Sequence, residues 1–181
     1  MAEALALIEL SSIARGHVVA DAMLKRAPVT LVRADFVSPG KFLVLVGGDV
    51  ASVDESFRVG IEVGGDRVID RLFLPHAHPS LWPALGSLGK RPAIDSLGLV
   101  ETTTVAATLL GADAAAKAAA VELFEMQLAR GIGGKAFFTV TGLLAEVQAA
   151  VDAAVGLLDA ALVVATEIIA APHGDLALKL R

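Results

Sequence analysis

Apolar and polar positions change period along the chain in an order that occurs twice. Residues 5–10 read as a short apolar strand, 16–27 have helical content, and 30–36 with 42–46 read as a strand pair joined by Ser38, Pro39 and Gly40. Residues 50–63 then read as a second helix and 68–74 as a closing strand. The succession returns as strand 97–102, helix 105–119, strands 122–128 and 136–141 around the loop Gly131-Ile132-Gly133-Gly134, helix 144–158 and strand 162–169. The order strand, helix, strand, strand, helix, strand predicts an α/β (α+β) chain of two ferredoxin-like domains, each with two helices on one face of its sheet.

The residues themselves repeat. Laying Glu9 on Glu101 aligns Ala14 with Ala106, Ala20-Asp21-Ala22 with Ala112-Asp113-Ala114, Lys25 with Lys117, Ala27 with Ala119, Val29 with Val121 and Leu31 with Leu123. After a two-residue insertion, Gly40-Lys41 falls on Gly134-Lys135, Val46 on Val140 and Gly48 on Gly142, while Pro75-His76-Ala77-His78 matches Ala170-Ala171-Pro172-His173. Repetition at this period is the signature of a duplicated structural unit. The joint falls in the Gly/Pro-rich stretch 86–92, giving expected domains 1–91 and 92–181.

Composition narrows the function. The 181 residues are 55% hydrophobic but only 4% aromatic, so the apolar bulk is Ala, Val and Leu. No uninterrupted apolar span of about 20 residues exists. The most apolar stretch, 143–171, is broken by Glu146, Gln148, Asp152, Asp159 and Glu167. The excess is expected to be buried between subunits, because obligate interfaces resemble a core cut in half. Net charge is −5 with both signs dispersed, which offers no basic footprint for nucleic acid. The absence of Cys removes disulfides and Cys-held metal centres and fits a cytoplasmic location, and Met1-Ala2-Glu3-Ala4 lacks the basic region of a secretory signal, so export is not expected.

Candidate chemistry is sparse. Gly131-Ile132-Gly133-Gly134-Lys135 resembles a phosphate loop, but Ala129 and Ala136 stand where that motif needs its first Gly and its Ser/Thr, and the loop joins two strands. His76 and His78 lie on one side of an extended segment with no Cys or nearby acid to complete a metal set, and His17 and His173 are isolated. No nucleophile and base arrangement emerges. An enzyme, a metal site and a cofactor are therefore not expected. What repeats most cleanly is Glu9/Glu101, Asp21/Asp113, Lys25/Lys117 and Gly40-Lys41/Gly134-Lys135, as assembly and backbone-geometry residues would. The repeated lysine is either packed against something or a solvated residue kept by descent.

The chain resembles the bacterial microcompartment shell proteins, in their tandem-domain, unpermuted, single-layer class. The resemblance is carried by Leu7-Ile8-Glu9, by residues 20–27 followed by Val29, by Gly40 eight residues before Gly48-Asp49-Val50, and by Pro75-His76-Ala77-His78. Leu99-Val100-Glu101, residues 112–119, Gly134 before Gly142, and Pro172-His173 carry it in the second copy.

That resemblance implies a homotrimer closing into a pseudohexameric tile, which packs beside other shell proteins, hexameric and pentameric tiles among them, in a microcompartment shell. The loop between second and third strands would line a central pore, here Ser38, Pro39 and Gly40 in one copy and Ile132, Gly133 and Gly134, with Gly131, in the other. Lys25 and Lys117 would be edge lysines against neighbouring tiles, and we group Asp21, Asp113, His76, His78 and His173 with them. The family's arginine after the last strand is replaced by His76 and Ala171. Arg130, just before the second loop, either rings the pore entrance and attracts small anionic metabolites or pairs with an acidic neighbour. The alternative is a ferredoxin-like oligomer whose glycine loops bind a regulatory ligand.

Overall fold

The computed structural model describes residues 3–85 and 93–177. The expected joint at 86–92 lies outside the described residues. Packing divides the chain into two compact units, Met1–Ala77 with Ala129–Gly134, and His78–Leu128 with Lys135–Arg181.

The first unit runs β1 (Ala4–Leu10), α1 (Ile13–Arg26), β2 (Thr30–Val37), β3 (Lys41–Gly48), α2 (Val50–Gly64) and, after a 3-10 turn, β4 (Val68–Leu74). Its antiparallel sheet has the order β2-β3-β1-β4. Period-two alternation puts Ala4, Ala6, Ile8 and Leu10 of β1 beside Phe42, Val44 and Val46 of β3, and Val19, Ala20, Met23 and Val53 from the helices complete this core. Gly16 is needed for the close approach of α1, since a Cβ there would lie 2.2 Å from the Phe42 ring. At the start of α2 the Asp49 side chain accepts from the Ser52 amide, and hydrogen bonding from Ser52 holds the Asp49 carboxyl below its ordinary value.

The second unit begins with a short helix, α3 (Leu81–Leu85), and then repeats the plan: β5 (Ser96–Thr102), α4 (Val105–Ala118), β6 (Glu122–Leu128), β7 (Ala136–Gly142), α5 (Leu144–Leu157), a 3-10 turn and β8 (Val163–Ala170). The short α6 (Gly174–Ala177) follows. Its sheet order, β6-β7-β5-β8, is the same as that of the first. The copies also share irregularities, because the ladder slips between Leu31 and Arg33 in one and between Leu123 and Glu125 in the other. The βαββαβ order expected from the sequence is present in both copies. Among the described residues no helix is long and apolar enough to cross a membrane.

Two features differ from expectation. The first helix starts at Ile13, ahead of Gly16, because the Ser12 hydroxyl accepts from the Arg15 amide at 3.2 Å and satisfies an otherwise orphaned donor. Thr104 does the same for Ala107 in the second copy. The helices α3 and α6 are too short to show a 3.6-residue period and were not expected.

Candidate pore and edge sites

The loop between β2 and β3 exposes Ser38, Pro39 and Gly40. The loop between β6 and β7 packs against it, the tip 129–134 belonging to the first compact unit. Gly134 takes φ +86°, and a Cβ on it would lie 2.9 Å from the Pro39 ring and 3.2 Å from the Ser38 carbonyl oxygen. Only glycine combines that dihedral with that contact. Gly134 is buried, Ile132 partly buried, and Gly131 and Gly133 are exposed. Arg130 Nη2 lies 3.3 Å from Asp35 Oδ2, while Asp35 also receives a hydrogen bond from Arg33 Nε at 2.7 Å. Of the two arrangements open for Arg130, the pairing with an acidic residue is present, although its side chain remains largely exposed. Between these groups lies a cavity of about 250 Å³, lined by Asp35, Phe36, Val37, Ser38, Arg130 and Gly131.

The repeated lysines each pair one helical turn back. Lys25 Nζ is 2.6 Å from Asp21, both side chains exposed, and Lys117 Nζ is 2.5 Å from Asp113. Asp113 is buried, and its other oxygen accepts from the His78 amide at 2.7 Å. His76 Nδ1 meets Glu3 at 3.2 Å and His78 Nδ1 meets the Ser80 hydroxyl at 2.8 Å. His173 is exposed, its ring nitrogen accepting from the Asp175 amide. Among the described residues no group of three or more His, Asp or Glu is placed to hold a metal ion.

The other repeated residues find each other. Lys41 Nζ lies 3.6 Å from the Glu9 carboxylate, and Lys135 Nζ lies 2.9 Å from that of Glu101. In both copies the glutamate sits on a central strand and the lysine stands at the start of the neighbouring one, Lys41 as the first residue of β3 and Lys135 just before β7, two places along from the directly facing residue. The signal for these pairs was present in the sequence, where glutamate and lysine repeat together. The Arg130–Asp35 contact spans 95 positions and has no such signal.

Comparison with known proteins gives this arrangement a family. The model of the BMC domain matches residues 4–77 and again 96–172. The bacterial microcompartment shell protein PduT of Citrobacter freundii is 42% identical over 154 residues, covering 85% of this chain and 84% of that protein. The carboxysome shell protein CsoS1 of Prochlorococcus marinus is 33% identical over 90 residues, which are 48% of this chain but 87% of that one. Among solved structures, a microcompartment protein of Desulfitobacterium hafniense DCB superposes with a TM-score of 0.91 at 41% identity, covering 97% of this chain and 98% of that one. The fused permuted hexameric shell protein MSM0275 shares the fold at a TM-score of 0.58 and 20% identity. The chain therefore belongs to the BMC domain family, as a bacterial microcompartment shell protein with two such domains in tandem.

Proposed function

We propose that three copies of this chain close into a pseudohexameric tile with a central pore, which walls a cytoplasmic microcompartment and passes small polar or anionic metabolites. The observation that carries this reading is the packing of the two equivalent loops, Gly134 against Ser38 and Pro39, in one compact unit. Loops from successive domains that meet side by side are what a shared opening requires. Three chains with two domains each supply six such loops about one axis, a closed arrangement.

The lining then consists of Ser38, Pro39, Gly40 and residues 131–134, whose hydroxyls and peptide groups suit polar solutes. Arg130 adds positive charge, and Asp35 offsets part of it. The tile acts by permeation and by tiling, with no bond chemistry. Its edges carry Lys25 and Lys117, which face other hexameric and pentameric tiles, and the two domain matches leave the joint between residues 77 and 96. Electron microscopy of the overexpressed chain tests this reading. Sheets, tubes or shells with a pseudo-six-fold lattice are expected, and a dispersed protein that never assembles contradicts it.

A further inference from the structure

The short turns that follow β4 and β8 are built alike. After β4, the Leu81 amide donates to the His78 carbonyl at 3.0 Å and the Ser80 amide to His78 Nδ1 at 3.3 Å. After β8, the Leu176 amide donates to the His173 carbonyl at 2.9 Å and the Asp175 amide to His173 Nδ1 at 3.2 Å. Their surroundings differ completely. The first turn is docked: the His78 amide donates to Asp113 on α4, and α3 packs against α4 and β6, leaving Leu81 0% exposed. In the second turn the matching Leu176 is 42% exposed.

The receiving surfaces differ in the same sense. On the docked surface the Asp113 side chain is 7% exposed and Ala116, Leu123 and Leu128 are buried. Ninety-two residues earlier the equivalent Asp21 side chain is 60% exposed, and the equivalent Leu24, Leu31 and Phe36 are exposed apolar groups on α1 and β2. One chain thus contains one filled socket with its plug, one open socket and one free plug of the same design.

We infer that the turn 173–177 of one copy docks on α1 and β2 of a second copy, with the His173 amide donating to Asp21 and Leu176 covering the apolar groups there. The inference rests on the trimeric reading above and names the contact that closes the ring. Its occupant is a second copy of this chain, because the docked turn 78–85 supplies the template and the free turn reproduces its hydrogen bonds. Asp21 accepts the amide as Asp113 does, while Lys25 holds the carboxylate from the other side, as Lys117 holds that of Asp113.

The natural absence of Cys makes the contact directly testable. Asp21→Cys combined with His173→Cys, treated with a short bis-maleimide, is expected to give a ladder of covalent dimer and trimer on a denaturing gel. The template pair, Asp113→Cys with His78→Cys, is expected to stay at monomer mass with an internal cross-link. Leu176→Asp is expected to raise the concentration at which the trimer dissociates at least tenfold. A double variant that is trimeric by mass yet gives no more cross-linked product than either single-cysteine variant, with Leu176→Asp without effect, overturns this contact and leaves the trimer standing. A wild-type chain that is monomeric overturns both.

Discussion

Lys41 Nζ lies 3.6 Å from a Glu9 carboxylate that is 0% exposed, whereas the equivalent pair, Lys135 and Glu101, is made by a glutamate that keeps 35% of its side-chain surface in water. One duplication has thus placed the same ion pair in two dielectric environments. Removing the cation beside a buried carboxylate leaves a charge with little solvent to take over, while a wet pair is largely screened. Lys41→Ala is expected to cost about 3 kcal/mol or more. Lys135→Ala is expected to cost about 1 kcal/mol or less. Denaturant unfolding of the two variants checks the contrast, and equal losses would show that burial does not govern the pairs.

Gly16 and Gly156 make a second contrast. Both lie in helices, where Ala is favoured over Gly by up to about 1 kcal/mol. A Cβ at Gly16 would enter the Phe42 ring, whereas at Gly156 it would meet nothing within 4 Å. Gly16→Ala is expected to destabilise by about 1–3 kcal/mol through overpacking, and Gly156→Ala to stabilise by about 0.5–1 kcal/mol. Thermal melts of both variants decide it, and a stabilising Gly16→Ala would mean that the α1–β3 contact is looser than described.

In the proposed pore, charge beside the loops comes from Arg130 against Asp35. If Arg130 draws anions toward the opening, Arg130→Ala is expected to reduce anion preference and Arg130→Glu to reverse it. Asp35→Asn, by removing the counter-charge 3.3 Å away, is expected to increase it. Conductance of the assembled protein in planar bilayers measures this at low salt, where screening is weakest. Selectivity unchanged in all three variants, with assembly intact, removes both residues from the permeation path.

Lys25 is the more exposed of the two proposed edge lysines, and each steadies a carboxylate one turn back, Lys117 that of the buried Asp113 that holds the His78 amide and Lys25 that of Asp21. Lys25→Asp places a second acid beside Asp21. Like charges at a close contact cost several kcal/mol, so both the chain-to-chain contact inferred at Asp21 and tile-to-tile assembly are expected to weaken. Micrographs showing normal sheets from Lys25→Asp would make this lysine merely solvated.

The order of elements and the duplication were legible because they rest on local signals: period-two and helical patterning, and residues such as Asp21/Asp113 and Glu9/Glu101 that recur at one offset. The start of α1 was missed because Ser12 and Thr104 perform the same capping with different side chains, which identity matching does not see. The turns at His78 and His173 were visible only as histidines. Their shared hydrogen bonds depend on backbone geometry that His78-Pro79-Ser80-Leu81 and His173-Gly174-Asp175-Leu176 reach with different residues at the two middle positions. The partner of Arg130 was illegible for another reason, since a contact across 95 positions is set by packing alone.

The most direct test of the tandem-tile account is the mass of the particle in solution. Light scattering or native mass spectrometry of the purified chain is expected to give three times 18.5 kDa, the size at which six domains close one ring. A stable monomer, or a particle of six chains, would contradict it.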